Sequence, residues 1–323
     1  MIGGRSGGVC VHRRLRDRLQ ALVVCVICAT VFCWATAAPN LAWRSLDALN
    51  AGLPPGVRVY AGEDPKLPLR AWYVSVARGE DSGRVEVLVS DDPADRRETV
   101  SSFAADTGAC VVINGGYFTM ERTPARHAGL LVVDGVIEEP ATRSAVRNDL
   151  RYPTARAALG LTPTGFDIAW ATSREGSLQA WSAPPPHRQG SPAELDPGTS
   201  TPWNVEDALG GGPALVSKGR VRVTTNEEVF FGTAIPYTHP RTAAGVTAAG
   251  TLLLLLVDGR QKESRGVRLE ELAAIMVDLG AEEALNLDGG GSSSLVVQGQ
   301  LLNNPAGRGE EREVMTALGV FCD

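Results

Sequence analysis

Apolar and polar residues alternate in AWYVSVA (71–77) and RVEVLVS (84–90), the two-residue period of a strand with one buried face. RRETVSSFAADTGA then reads as a helix that stops at Gly108, and it is followed by the apolar strand CVVI and the turn NGGYF, Asn114 to Phe118. The same order returns late in the chain. TLLLLLVDGR (251–260) precedes a helix from Leu269 to Leu279 stopped at Gly280, the strand ALNL (284–287) and the turn DGGG. The run Leu252 to Leu256 is too short to cross a bilayer and reads as a buried strand.

Other segments echo one another. LLVVDGVI (130–137), ALVSKGRV (214–221) and SLVVQGQL (294–301) each read as a hairpin, turning at Gly135, Gly219 and Gly299. RAALGLTPTG (156–165) and RTAAGVTAAG (241–250) share Arg, Gly, Thr and Gly in register, as an internal repeat would. Together these features predict an α+β fold: mixed, mostly antiparallel curved sheets with a few helices, an internal pseudo-repeat, and a site where Gly-rich turns converge. The expected organisation is a lead-in over 38–70, strand-like at VRVY (57–60), and one domain over 71–323. A Pro-rich surface loop or flap interrupts that domain at 183–202, and 224–240 reads as a second loop.

Residues 1–37 combine a basic start at Arg13, Arg14, Arg16 and Arg18 with an uncharged apolar run that ends in Ala35-Thr36-Ala37. This is an export signal, either cleaved after Ala37 or kept as an anchor through residues 19–38. The expected location is therefore periplasmic, secreted or tethered at the membrane. Removing 1–37 takes away five arginines and one aspartate, which moves the formal charge from −6 to −10 and argues against nucleic acid as a partner. Four of the six cysteines go with that segment. Cys110 and Cys322 remain, either paired or as two buried thiols.

Candidate chemistry gathers at predicted strand ends: Asn114-Gly115-Gly116, Asp258 with Arg260, Asp288-Gly289-Gly290 with Ser292 and Ser293, and Arg241 with His239 two residues before it. Glycines let backbone N–H groups approach an anion closely, and the planar guanidinium of Arg grips phosphate or carboxylate with two hydrogen bonds. Each feature also has an ordinary structural role, because Asn-Gly and Asp-Gly are common turn signals. The serines lack a G-x-S-x-G elbow, so they are better read as ligand contacts than as nucleophiles. HExxH, paired CxxC and EF-hand patterns are absent, which predicts no cofactor and leaves only a weak divalent-cation site between Asp258 and Asp288.

NGGYF, GGGPALV (210–216), HPRTAAGV, VDGR, the long segment ending in NLDGGGSS, and NNPAGRGEEREVMTALGV (303–320) together resemble the phosphodiester glycosidase family. The likeness covers roughly 105–321 and is most specific from His239 to Ser294. It implies hydrolysis of a sugar-1-phosphodiester, N-acetylglucosamine being the sugar of the animal member, with a phosphodiester-linked glycan as substrate. By this resemblance Asp288, Asp258 and Arg241 are catalytic. Asn114, Gly115, Gly116, Arg260, Gly289, Gly290, Ser292, Ser293 and His239 would then bind substrate. The Cys-rich appendages of the animal member are missing and the Pro-rich 183–202 is peculiar to this chain, so the sugar does not transfer. Rival readings are a non-catalytic glycan- or phosphate-binding envelope protein and a glycosidase acting on neutral glycosides.

Overall fold

The computed structural model describes residues 39–79 and 82–322, together with 1, 3 and 4. The export or anchor segment lies outside the described residues. Among the described residues no helix is long and apolar enough to cross a membrane.

Three antiparallel sheets share one core. The first has eight strands, in the order 42–45, 57–63, 70–76, 252–257, 241–247, 281–286, 214–217 and 220–221. The second has seven, in the order 201–202, 177–181, 165–174, 156–162, 207–210, 131–133 and 136–139. The third has five, in the order 300–301, 295–297, 111–114, 316–321 and 84–89. A separate hairpin joins 144–147 to 150–153. The lead-in segment supplies the first two strands of the largest sheet.

The leucine run shows how sequence sets the layers. Leu252, Leu254 and Leu256 point into the central core with Ile113, Leu159, Leu209 and Leu318, while Leu253, Leu255 and Val257 face the helix Leu269–Asp278. Because both faces are covered, the strand has no polar side to show, hence the unbroken apolar run. Every residue from Leu252 to Val257 is 3% exposed or less, and each such side chain contributes about 1.5–3 kcal/mol on burial. The third sheet is capped on its outer face by the helix Val100–Thr107, whose Val100, Phe103 and Ala104 pack on Val112, Val296 and Ala317.

Local chemistry explains the element ends. Thr99 Oγ1 accepts from the Ser102 N–H at 3.0 Å to start the second of these helices, and Gly108 closes it at φ 73°. The three expected hairpins form, and each turns through two left-handed residues: Asp134-Gly135, Lys218-Gly219 and Gln298-Gly299. That backbone matches the twist of the flanking strands, which is why X-Gly occupies all three.

The strand–helix–strand order predicted twice is present twice. In each case one antiparallel strand lies between the two: 316–321 separates 84–89 from 111–114, and 241–247 separates 252–257 from 281–286. The segments 156–165 and 241–250 both open hairpins, pairing with 165–174 and 252–257. Cys110 and Cys322 form a disulfide between neighbouring strands of the third sheet.

Candidate active site

The pairing registers bring three strand ends to one edge. Ala243 sits opposite Asn286 and Arg241 opposite Val257, so Arg241, Asp258 and the Asn286–Asp288 turn emerge side by side. From the third sheet the Asn114 turn meets them: Asp288 N donates to Gly115 O at 3.1 Å, and Asn114 Nδ2 donates to Asp288 O at 2.8 Å. A cavity of about 120 Å³ opens here, lined by Tyr117, Ala234, Ile235, His239, Arg241, Arg260, Asp288, Gly289 and Gly290.

Asp288 is the carboxylate of this cavity, with its side chain 16% exposed. Its Oδ1 accepts from the Gly289 N–H at 2.9 Å and its Oδ2 from Ser292 Oγ at 2.7 Å. Arg312 stands 3.4 Å from Oδ2 and also donates to Ser292 Oγ. Burial raises the Asp288 carboxyl above the ordinary range, against the opposing pull of Arg312, Ser292 and the Gly289 amide.

Arg241 is 2% exposed, and among the described residues no carboxylate lies within ion-pair distance of it. Three backbone carbonyls hold it instead: Nε donates to Val267 O at 3.1 Å, and Nη2 donates to Ile235 O at 2.7 Å and to Tyr237 O. Burial lowers its pKa to about 10, which still leaves it charged at neutral pH. Arg260 Nη2 donates to His239 Nδ1 at 3.0 Å, so the imidazole carries its proton on Nε2 and gives it to Ala234 O, also at 3.0 Å. Burial lowers the His239 pKa, and Arg241 and Arg260 push it the same way.

The glycines are there for close approach. A Cβ on Gly289 would meet Pro240 O at 2.8 Å, and one on Gly290, whose φ is +65°, would sit 3.0 Å from Arg260 Nη2. Gly115 and Gly116 are excluded from side chains by the protein itself, through Thr316, Gly210 and His127.

The predicted residues therefore divide. Asp288, Arg241, Arg260, His239, Gly289 and Gly290 line the cavity, and Ser292 touches it through Asp288. Asp258 does not join them. Its carboxylate is buried on Asn303 Nδ2 at 3.1 Å and Asn304 N at 3.3 Å, and Asn303 passes the contact on to Ser293 O at 2.9 Å. Burial raises this carboxyl as well. Asn114 is also turned inward: its Oδ1 accepts from Thr242 Oγ1 at 2.7 Å and Ser294 N at 3.3 Å. Ser293 Oγ accepts from Thr242 Oγ1 at 3.2 Å. Asp258 and Asp288 thus face different partners, and among the described residues no group of three or more His, Cys, Asp or Glu could hold a metal ion.

Two participants went unnamed in the sequence. Arg312 lies in GRGEERE, where a charge run reads as a solvated loop, and its partners are 20 and 24 residues away. Tyr117 lies inside NGGYF, and its hydroxyl donates to Gly212 O at 2.9 Å while accepting from Asn286 Nδ2 at 2.5 Å.

The model of the phosphodiester glycosidase family matches residues 107–321, two thirds of the chain. The chain belongs to that family. It is 28% identical over 220 residues to the bovine N-acetylglucosamine-1-phosphodiester alpha-N-acetylglucosaminidase, covering 65% of this chain and 35% of the bovine protein. The chain thus spans about a third of the length of that relative. Among solved structures, the catalytic domain of the zebrafish enzyme of the same name, auto-inhibited by its pro-peptide, superposes with a TM-score of 0.55 at 23% identity, covering 87% of this chain and 82% of that one. A candidate exported protein of Burkholderia pseudomallei gives 0.55 at 18% identity over 81% and 74%. Both likenesses concern the fold.

Proposed function

We propose that this phosphodiester glycosidase family member is an exported hydrolase that breaks the anomeric C–O bond of sugar-1-phosphodiesters, with N-acetylglucosamine-like sugars in envelope or extracellular glycans as substrate class. The observation that carries the reading is the composition of the cavity: a buried, unpaired Arg241 and a second guanidinium, Arg260, beside one carboxylate, Asp288.

Glycosidases acting on neutral sugars use two carboxyl groups, one of them to protonate a leaving alkoxide. A departing phosphomonoester has a second pKa of about 6, so it leaves without that proton if its growing charge is offset. Guanidiniums held at the leaving group do this, here the buried Arg241 and the exposed Arg260. A site with one carboxylate and two arginines suits a phosphate leaving group and does not suit a neutral glycoside.

In this scheme the C1–O electron pair passes to the phosphate oxygen, held by Arg241 and Arg260. Asp288 either removes a proton from the water that attacks C1 or attacks C1 itself, and inversion or retention at C1 distinguishes the two. Export is supported by the apolar leader and by the Cys110–Cys322 bond, which suits an oxidising compartment. The paired strand–helix–strand units fit an internal duplication, with the site formed where their Gly-rich turns meet.

The test is hydrolysis of the phenyl phosphodiester of N-acetylglucosamine 1-phosphate in ¹⁸O-water. C–O cleavage places the label in the sugar and releases phenyl phosphate unlabelled. Label in the phosphate, or binding without product, removes the proposal.

A further inference from the structure

The reacting cavity is small, about 120 Å³, against roughly 300–1,000 Å³ for sites that enclose a small ligand. Recognition of anything larger than the reacting group must therefore come from elsewhere on the molecule, and remote contacts are a common source of binding energy.

A cavity of about 460 Å³ lies on the second sheet, beside the hairpin formed by strands 165–174 and 177–181. The register places Thr172 opposite Gln179 and Arg174 opposite Ser177, with Trp170 opposite Trp181, so these residues share one face of the sheet. All but Trp170 line the cavity. Arg143 closes it from a separate segment, and Leu195 and Pro197 bound it from the Pro-rich loop.

Thr154, Ser173, Ser177 and Ser200 of this lining are already hydrogen-bonded within the protein, and the free donors are few. Among the described residues the Arg143 guanidinium, the Thr172 hydroxyl and the Gln179 amide N–H groups make no hydrogen bond, and Arg174 has only an exposed pair with Glu175 at 3.8 Å. Trp181 is fixed by donating Nε1–H to Asp196 O at 3.1 Å. Trp181 and Leu195 also line an adjoining cavity of about 320 Å³, with Pro184 to Pro186, Glu194 and Asp196. The two cavities thus share an apolar wall, with Arg143, Arg174 and the single carboxylate Glu175 in the first and Glu194 and Asp196 in the second.

We propose that these adjoining cavities form a glycan-binding groove that takes a phosphate-bearing sugar next to an unphosphorylated stretch of chain. The phosphate lies at Arg143 and Arg174, the C–H face of a pyranose packs on Leu195 and Pro197 above the edge of Trp181, which is itself only 9% exposed, and Glu194 and Asp196 accept hydrogen bonds from sugar hydroxyls. The groove makes the protein a reader of polymer as well as of the scissile linkage. It deepens the hydrolase reading, but binding in it requires no hydrolysis.

The experiment measures binding of poly(N-acetylglucosamine 1-phosphate) and of unphosphorylated N-acetylglucosamine tetramer by fluorescence anisotropy, alongside turnover of the phenyl phosphodiester. The variants are R143E/R174E, both exposed, and Gln179→Ala. We expect the charge-reversal variant to bind polymer at least tenfold more weakly and Gln179→Ala severalfold more weakly, with turnover of the phenyl diester unchanged. Unaltered polymer affinity in the charge-reversal variant overturns the groove. So does wild-type protein that binds neither probe, or binds the neutral tetramer as tightly as the polymer. If no phosphodiester is cleaved but the charge reversal still abolishes polymer binding, the groove stands and the hydrolase reading fails.

Discussion

Asn114 and Asp288 each stand at or just past the end of a buried strand, each precede two glycines, and lie against one another, yet the structure uses them in opposite directions. Asn114 turns inward and holds Thr242, Ser294 and the Asp288 carbonyl. Asp288 turns outward, lines the cavity and keeps its carboxylate beside Arg312 and Ser292. One polar-Gly-Gly turn is tied into the scaffold and the other faces the cavity. Asn114 is the last residue of its strand, whereas Asp288 lies two residues past the end of 281–286, and the shared polar-Gly-Gly pattern does not encode that difference.

The strongest way to break this contrast is Asp288→Asn. We expect kcat/KM on the phenyl diester to fall about 10³-fold or more, since a proton-transfer or nucleophilic role is removed. The fold should not suffer. Because burial raises the carboxyl's pKa in the folded state, folding favours its protonated form. The stability it contributes is therefore present at low pH and lost as pH rises from the ordinary Asp value through the raised one. An uncharged Asn escapes that loss, so denaturant unfolding at pH 7 should find the variant at least as stable as wild type. Retained turnover would return Asp288 to the scaffold.

Arg241→Ala comes next, with an expected loss in kcat/KM of about 10²–10³-fold, the usual worth of one donor to a developing anion. Equal losses for neutral and phosphorylated leaving groups would show that Arg241 only props the 234–240 loop. Asn114→Ala should instead show as unfolding free energy. It strands buried donors and an acceptor at about 1–3 kcal/mol for such a group, read as a lower denaturant midpoint. Unchanged stability with lost turnover would reverse the assignments of the two turns.

The smallest effect expected is a shift in pH profile. Activity that needs ionised Asp288 rises with pH through its raised pKa, so the acid limb of kcat/KM should lie above the ordinary Asp value of about 3.9. Arg312 pulls that pKa down, so Arg312→Gln should move the limb upward. A downward move would mean that another group sets it.

How much of this could be read from the chain follows from the range of each interaction. The hairpins at Gly135, Gly219 and Gly299 were legible because two adjacent residues decide them. The leucine strand was legible because burial on both faces leaves an unbroken apolar run. The cavity around Arg241 and Asp288 came from motifs and resemblance. Asp258, placed by the same means among the catalytic groups, lies outside the cavity lining with its carboxylate on Asn303, and nothing near it in sequence marks that partner. Arg312 was hidden for the same reason, since its meaning depends on a loop 20 residues earlier.

The bond between Cys110 and Cys322 spans 212 residues of sequence, and nearly the whole family domain lies between its two ends. That domain is topologically a closed ring. A protease that cuts the Pro-rich segment at 183–202 opens the ring without dividing it, and the two arms stay joined through the third sheet. Such a nicked molecule would run as one species until reduced and as two afterwards, and it would keep every side chain of the cavity. The disulfide thus keeps the two arms of a singly cut chain in one molecule.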